Sequence, residues 1–376
     1  MIEGLDKVLI VGGGIGGMAT AIALMEQGVG VDIVDIDPDW KVYGAGITIT
    51  GPTLRAFRDL GLLDAIAAHG FLSVSSKMHL FNGTELANVR ELPIEPGLPS
   101  AGGIMRPRLH EIMSGRVVGL GADVRLGITV DALDQDGAGV DVTFSDGSRG
   151  RYDLVIGADG IYSKVRSMLF EHPVEPVYSG QMSWRVVSPR PPELDGSMFY
   201  FGHETVAGTV PCSQDEVYSF ILHPEPDPRR IAEAEKPAFL RNLLRDFGGD
   251  MARIRDGITE ESSIVQRPFE YALQPLPWHK GRVVLIGDAV HATTAHLASG
   301  AGIAVEDALV LSQELARAGA GDVEAALAAF ESRRFERCKF VVESSVGICM
   351  RQLDHAPAQE IGQRMGQAMH RLAEAI

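Results

Sequence analysis

Cysteine is scarce in this sequence: only Cys212, Cys338 and Cys349 occur in 376 residues. They form no CxxC pair and no histidine-bearing metal spacing. That excludes a disulfide scaffold, leaves no metal site to name, and leads us to expect reduced thiols in a cytoplasmic protein. Positive charge is also short. Lys and Arg number 34 against 50 Asp and Glu, a formal net charge of −16. A nucleic-acid-binding face needs clustered cations to displace counterions, so no nucleic-acid partner is expected. The same field repels anions, which must then be captured by local groups. No apolar run approaches the ~20 residues of a membrane span. The polar start, Met1 to Lys7, has no signal-peptide pattern. There is no internal repeat and no low-complexity segment.

Glycine, by contrast, is abundant, at 43 residues, which points to tight turns or to backbone lying against a ligand. The length suits two domains, or one large domain with an elaborated insert. The chain opens with a βαβ pattern: a strand at Lys7 to Val11, a helix at Met18 to Gln27 stopped by Gly28, and a strand at Val31 to Ile36. Thr53 to Ala68 and Arg106 to Val118 read as helices. Ser73 to Val89 alternates loosely and reads as the first piece of a second domain. From Val124, three strand-like runs separated by Asp-Gly turns precede a buried strand at Leu154 to Ile156. Residues 179–226 are β-rich, and Pro237 to Phe247 is helical. Arg282 to Ile286 has the continuous apolar pattern of a buried parallel strand. A helix from Ala301 to Ala318 with Gly319 as its stop follows. The rest is amphipathic helix broken near Pro357. Buried strands early, middle and late, with β-rich material between, predict an α/β fold with an inserted β-rich domain and C-terminal helices. The expected division is 1–71, 102–178 and 268–350 for the nucleotide-binding domain, 72–101 and 179–267 for the insert, and 351–376 for a helical tail.

Three motifs carry chemistry. Gly12-Gly-Gly14-Ile-Gly-Gly17 is a GxGxxG between strand and helix. Gly12 allows the turn, Gly14 lets backbone approach a pyrophosphate, and Gly17 permits close helix–strand packing. Asp35, 18 residues after Gly17, is placed to accept hydrogen bonds from a ribose, with Asp37 as the competing acid. The second motif is Gly157-Ala-Asp159-Gly160-Ile-Tyr-Ser163-Lys-Val-Arg166, either a second nucleotide edge or an ordinary turn with a helix cap at Ser163. The third, Gly281 to His291, delivers Asp288 at a strand end and continues through Ser299-Gly300-Ala-Gly302. Its helix N-terminus would favour an anion.

In this order the motifs resemble those of FAD-dependent monooxygenases of the para-hydroxybenzoate hydroxylase and salicylate hydroxylase type. The overlap runs from Val8 to about Arg337. The resemblance implies a Rossmann-like FAD-binding domain with an inserted β-rich substrate domain. It implies a flavin envelope of Gly12, Gly14, Ile15, Gly16, Gly17, Asp35, Ile36, Lys41, Gly46, Ile47, Arg106, Val130, Asp159, Gly160, Arg166, Gly287, Asp288, Ala295, Gly300, Ala301 and Gly302. Arg106, rather than Arg108, matches the family's Arg-x-x-Leu. Ala295 stands where the family usually has proline, which would fix φ. Trp184-Arg185 resembles a recurring family segment. His291 is expected to fix its loop rather than to catalyse.

The implied reaction uses FAD, NADH or NADPH as a transient cosubstrate, and O₂. A C4a-hydroperoxyflavin hydroxylates an aromatic or heteroaromatic small molecule; the cofactor does the hard chemistry and the protein positions it. Epoxidation, Baeyer–Villiger oxidation or reduction on the same fold remain open, as does a non-catalytic nucleotide-binding protein. The substrate site is expected at Thr48, Met182, Tyr200, Pro211, Tyr218 and His296, because positions 198 and 200 share one strand face. His296 and then Tyr218 are the candidate catalytic groups, since histidine titrates near neutrality. Residues 322–376 either pack in a homodimer or fold back on the sheet.

Overall fold

The computed structural model describes residues 2, 4–42, 44–318 and 322–376 of the chain. Its centre is a six-stranded sheet that alternates with helices. The strand Lys7–Val11 pairs in parallel with Gly30–Asp35 on one side and Leu154–Gly157 on the other. Val283–Leu285 extends the sheet beyond Leu154–Gly157, and Asp123–Leu126 extends it beyond Gly30–Asp35. His279–Lys280 closes one edge antiparallel. The central strands are apolar on both faces because helices cover both, and Val8, Leu9, Ile10, Leu154, Val155 and Ile156 have no exposed surface. All five parallel strands run the same way, so their carboxyl ends, where ligands bind in such sheets, share one edge.

Local differences from the sequence reading have local causes. The first helix is Ile15–Met25, three residues earlier than the apolar pattern starts, so Gly16 and Gly17 lie inside it. Gly28 stops it as expected, with φ +84°. The single helix expected over Thr53 to Ala68 is two, Gly51–Asp59 and Leu63–His69. Gly61, at φ +74°, turns the chain between them. Asp123–Leu126 joins the parallel sheet. The three-stranded meander is Val130–Gln135, Val140–Phe144 and Arg149–Tyr152. The helix stop expected at Gly319 lies outside the described residues.

A second, seven-stranded sheet runs in the order Ile264–Tyr271, Val177–Pro189, Glu216–Pro224, Val206–Pro211, Ser197–Phe201, Ser75–Leu80 and Glu85–Arg90. Its outer face carries Met182, Trp184, Val186, Met198, Tyr200 and Ile221. The helices Lys236–Leu243 and Gly249–Gly257 cover that face with Leu240, Met251 and Ile254. Its inner face looks toward the first sheet. A small sheet of Gly46–Thr50, Ala101–Met105 and Phe71–Ser73 joins the two. A Cβ on Gly103 would lie 2.4 Å from the Pro211 carbonyl oxygen, so glycine there lets the sheets abut.

The helices Gly300–Ala318, Val323–Leu353 and Ala358–Leu372 complete the fold. The apolar stripe of the last one, Ile361, Ala368 and Leu372, is buried within the chain. Arg55 donates to the carbonyls of Leu372, Ala373 and Glu374, closing that helix's end. Among the described residues no helix is long and apolar enough to cross a membrane.

Candidate active site

The first two motifs meet at the carboxyl edge of the six-stranded sheet. Gly12 has φ +107°, and a Cβ there would lie 2.3 Å from the Ala158 carbonyl oxygen; one on Gly17 would lie 1.9 Å from the Gly12 carbonyl oxygen. Both glycines are therefore packing requirements. Gly14 differs: a Cβ there would meet nothing within 4 Å. Its open side faces the N-terminus of an 11-residue helix, the place where backbone N–H groups receive a phosphate. Asp35 accepts from the Gly13 N–H at 2.7 Å and from the Asp37 N–H at 2.8 Å, one on each oxygen. Each oxygen keeps a lone pair for a ribose diol.

Asp159 orders the second motif. It accepts from the Ser163 hydroxyl and from the Val165 N–H. Ser163 Oγ in turn accepts from the Arg166 N–H at 2.9 Å and caps the helix Lys164–Leu169. Burial pushes the Asp159 carboxyl upward, against those hydrogen bonds. Gly160 has φ +81° and open space beside it. Arg166 is buried and donates to the carbonyls of Ala289 and Ile161, both at 2.7 Å. It ties the second motif to the third.

In the third motif Gly287 turns at φ +58° and aims Asp288 off the strand end. Solvent reaches Asp288, yet the protein around it raises its carboxyl by desolvation, opposed by the charges of His291 and Arg106. Beneath lies a buried chain of charges. Asp307 accepts from the Gly287 N–H at 2.9 Å, pairs with His291 Nε2 at 2.6 Å, and accepts from Arg334 Nε at 2.8 Å. Arg334 then meets Glu306, which Arg337 grips with two 2.8 Å bonds. Burial alone would raise the Asp307 carboxyl, but His291 and Arg334 hold it down at about 2. Burial likewise disfavours the His291 imidazolium, while Cys338 and Asp307 lift it well above its ordinary value. His291 thus braces the loop. Gly302 faces Thr53, whose hydroxyl a Cβ would approach to 2.3 Å, so it serves helix packing.

Arg106 reaches the same edge from the start of the helix Arg106–Gly119. Gly44 makes room for it, since a Cβ there would lie 3.2 Å from Arg106 Cδ. Arg185 approaches from the inner face of the seven-stranded sheet. Among the described residues neither guanidinium has a hydrogen-bond or ion-pair partner, and Arg106 Nε is buried and unmatched. Burial lowers Arg106 to about 10, and the Arg185 charge adds to that. Both charges act on Tyr218, whose hydroxyl is 2.8 Å from Thr48 Oγ1. Gly46 lets Tyr218 and Cys212 come this close; a Cβ there would lie 2.2 Å from the Tyr218 ring and 2.4 Å from Cys212 Sγ. An aromatic row continues along the inner face: Tyr218 to Phe220 at 6.2 Å, then Phe220 to Phe199 at 6.0 Å. Gly208 lets the Phe220 ring lie across its strand, since a Cβ there would be 2.4 Å from that ring.

Several expected site residues stand elsewhere. Positions 198 and 200 do share a face, but it is the outer one. Tyr200 pairs with Ala207, and Ala207 with Ile221, while Tyr218 pairs with Val210. The parity puts Tyr200 and Met182 under the covering helices, and the Tyr200 hydroxyl accepts from the Asp250 N–H at 3.3 Å. Pro211 lies opposite Val217, whose side chain packs on the outer face. His296 is buried and engaged on both nitrogens. Thr294 Oγ1 lies 3.0 Å from Nδ1; Gln181 and Gln352 lie 2.9 and 3.1 Å from Nε2. Burial pushes it down to about 4, so it is a neutral brace near pH 7. Ile36 is 73 % exposed, Val130 is buried at the start of the meander, and Lys41 pairs with Asp39 at 2.7 Å. Ile15 and Ala301 sit in the first turns of their helices and Ile47 in the linking sheet. Gly300 opens the helix Gly300–Ala318, and Ala295 is exposed in the turn before it.

Open space at Gly14 beside a helix N-terminus, with Asp35 and Asp288 at the carboxyl ends of two strands of one sheet, fits a flavin dinucleotide, which defines the class as an α/β flavoprotein. The chain belongs to the FAD binding domain family, which matches residues 6–345. It is 33% identical to the aurachin C monooxygenase/isomerase of Stigmatella aurantiaca, over 91% of this chain and 88% of that one. It is 31% identical to the 2-heptyl-3-hydroxy-4(1H)-quinolone synthase of Pseudomonas aeruginosa strain UCBPP-PA14, over 90% of this chain and 87% of that one. The fold is also that of an FAD-bound Klebsiella pneumoniae HpxO variant, with a TM-score of 0.85, 23% identity, and coverage of 98% of this chain and 95% of that one. The protein is an FAD-dependent monooxygenase of a family that uses NADH or NADPH.

The sequence reading passed over the roles of Phe199, Phe220 and Cys212, and noted Arg185 only as part of a segment. Alternation along Val177–Pro189 was the available signal: Trp184 and Val186 belong to a core, so Arg185 must face away from it.

Proposed function

We propose that this enzyme hydroxylates a planar aromatic or heteroaromatic ring bearing a hydroxyl or carbonyl oxygen, with NAD(P)H and O₂ as cosubstrates. Arg106 and Arg185 carry the reading. Two guanidinium groups without a carboxylate partner among the described residues, set against an aromatic row, form a site for a ring whose oxygen bears or gains negative charge. Thr48 and Tyr218 offer hydroxyls to the same oxygen, and Phe220 and Phe199 offer apolar surface to the ring. The quinolone in the name of the Pseudomonas relative is a ring of this kind.

In this proposal Gly14 and the helix behind it receive the FAD pyrophosphate, Asp35 the adenosine ribose and Asp288 the ribityl chain. Bound FAD supplies the hydride acceptor and the oxygen-transfer chemistry. The protein's part is to hold the ring, stabilise its oxyanion through the two arginines and keep water out. The flavin domain would comprise 1–71, 102–178 and 268–350, the substrate domain 72–101 and 179–267, and the tail 351–376. We assign the enzyme to the cytoplasm on its three free, buried thiols. The apolar stripe of the last helix is used within the chain, which favours a monomer over a dimer built on that face. The test is NAD(P)H consumption against a panel of hydroxylated rings, with product masses measured. We expect a ring to accelerate flavin reduction and to gain one oxygen atom. Reduction that no ring accelerates, with peroxide as the sole product, would overturn the proposal.

A further inference from the structure

The inner face of the seven-stranded sheet changes character along its width. Strand pairing sets its side chains in rows. One row runs Arg267, Ser183, Leu222, Val206, Phe201, Leu80. The next runs Arg185, Phe220, Gly208, Phe199, Met78. Both begin on a cation and end on apolar groups. The cations belong to the strands Ile264–Tyr271 and Val177–Pro189. From the strand Glu216–Pro224 onward, neither row contains a charged or polar side chain.

The apolar end is left without cover. On the outer face of the same strands, Met198 and Tyr200 are buried in the core beneath the two helices. On the inner face Met78, Phe199, Phe201 and Val206 are only half-buried, and Leu80 is 37 % exposed. None of these five packs into an apolar core formed by the described residues. A contiguous apolar face turned to water is unfavourable, and in soluble proteins it marks a place where something binds.

The position of this face identifies its occupant, because it continues the wall of the ring site without a break. The Phe220 ring lies across Gly208, where a Cβ would be 2.4 Å from it. The Phe220 and Phe199 centroids are 6.0 Å apart. Met78 is the partner of Phe199 on the next strand, and Leu80 that of Phe201. The strand of Phe220 and the strand of Met78 are three strand spacings apart, about 14 Å. A ring held at Arg185 and Tyr218 covers only the near part of that span.

We infer that the substrate ring carries an apolar chain several carbons long, and that the chain lies along the inner face from Phe220 over Phe199 to Met78. The inference rests on the ring site proposed above and narrows its substrate class to an amphiphile. The ring oxygen meets the arginines, and the chain leaves in the opposite direction. Each methylene laid on this face removes apolar surface from water on both sides of the contact.

The experiment titrates FAD-loaded protein with 4-n-alkylphenols, from ethyl to octyl, and reads binding from the flavin absorbance. Para substitution puts oxygen and chain at opposite ends of the ring, as the rows require. In the parent, affinity should rise about two- to fourfold per added methylene. Met78→Glu sets a carboxylate in the path of the chain. It should bind the octyl compound at least roughly tenfold more weakly, with the ethyl compound within about twofold of the parent. Met78→Gln, uncharged and of similar length, should lose part of the chain-length dependence even where Met78→Glu does not fold. Met78→Leu should keep it. Affinity in the parent that does not rise with chain length overturns the inference. So does a rise that Met78→Glu and Met78→Gln leave intact, and so does an equal loss for the ethyl and octyl compounds. Binding needs no turnover. Chain-dependent binding of a ring that gains no oxygen would therefore count against the hydroxylation reading alone.

Discussion

The carboxyl edge of the six-stranded sheet and the inner face of the seven-stranded sheet build their parts of the site from different materials. At the first, backbone does most of the work. Glycines open space at Gly14 and Gly160 or permit contact at Gly12 and Gly17, and one acid stands at or just past the end of each of three strands: Asp35, Asp159 and Asp288. At the second, side chains from neighbouring strands converge: Arg185, Tyr218, Phe220 and Phe199. A site made by backbone needs residues that no others can replace, so it leaves a signature over a few consecutive positions. A wall made by alternate side chains depends on the register between strands, which no single strand contains.

The largest expected effect divides the first region within itself. Gly17→Val puts a side chain where even a Cβ would lie 1.9 Å from the Gly12 carbonyl oxygen, and should cost more than about 3 kcal/mol or prevent folding. Gly14→Ala meets nothing within 4 Å. Its apoprotein should melt within about 0.5 kcal/mol of the parent, yet hold FAD poorly. Thermal melts of apoprotein and flavin absorbance per chain read the two effects. If Gly14→Ala is as unstable as Gly17→Val, the motif is a packing element only.

Next comes the charge chain under Asp288. Asp307→Asn leaves His291 facing no opposite charge in the core and leaves Arg334 with Glu306 alone, and should cost about 3–5 kcal/mol. The sign with pH follows from the depressed carboxyl. Asp307 titrates at about 2 in the folded protein, so its contribution is complete above the usual carboxylate range and is lost as pH falls toward about 2. The gap between parent and variant, measured by denaturant unfolding, should therefore be widest near neutrality and should narrow below about pH 4. A gap that is constant down to pH 3 would mean that Asp307 is not the charged partner.

How much of this was legible in the sequence follows the same division. GxGxxG, Asp35, the Asp159 turn and the strand into Asp288 could be read because each is a run of local geometry. The parallel strand Val283–Leu285 could be read because it is apolar on both faces. Tyr200 was misjudged because 198 and 200 do share a face, and only the pairing of Tyr200 with Ala207, and of Ala207 with Ile221, reveals which face it is. The network of His291, Asp307 and Arg334 joins residues 16 and 27 positions apart. A histidine following an acid motif does not announce that its partner lies on a later helix. His296 was chosen for its intrinsic titration range, and burial has moved it out of that range.

That displacement gives an intermediate effect. His296 is pushed down to about 4 by burial. A histidine with a lowered folded pKa leaves stability intact above its unfolded value and costs stability as pH falls, because the unfolded chain takes up the proton more readily. The difference should reach about 2 kcal/mol at pH 5. His296→Gln removes that titration. The parent should lose more stability than the variant between pH 7 and pH 5, and turnover between pH 6 and 9 should not acquire a new pH dependence. An equal loss in both proteins would return His296 to the list of titrating groups near neutrality.

The smallest effects give the sharpest test, because they compare two tyrosines on opposite faces of one sheet. Tyr218→Phe removes a hydroxyl from the inner face and leaves Thr48 Oγ1 without its 2.8 Å partner. Phenylalanine keeps the ring that packs on Gly46 and Phe220, so stability should change by no more than about 1 kcal/mol. Turnover should respond more than the fold does. The charges of Arg185 and Arg106 both act on the hydroxyl, and its loss should reduce kcat/KM roughly tenfold, equivalent to about 1.4 kcal/mol. Tyr200→Phe removes a hydroxyl from the outer face, where it accepts from the Asp250 N–H at 3.3 Å under the covering helix. That variant should also lose about 1 kcal/mol of stability, with kcat/KM and the coupling of NAD(P)H to product unchanged. Matched melts and opposite kinetics would separate the two faces cleanly. If Tyr200→Phe instead lowers kcat/KM while Tyr218→Phe leaves it unchanged, the ring binds on the helix-covered side, and the inner face with its arginines has another purpose.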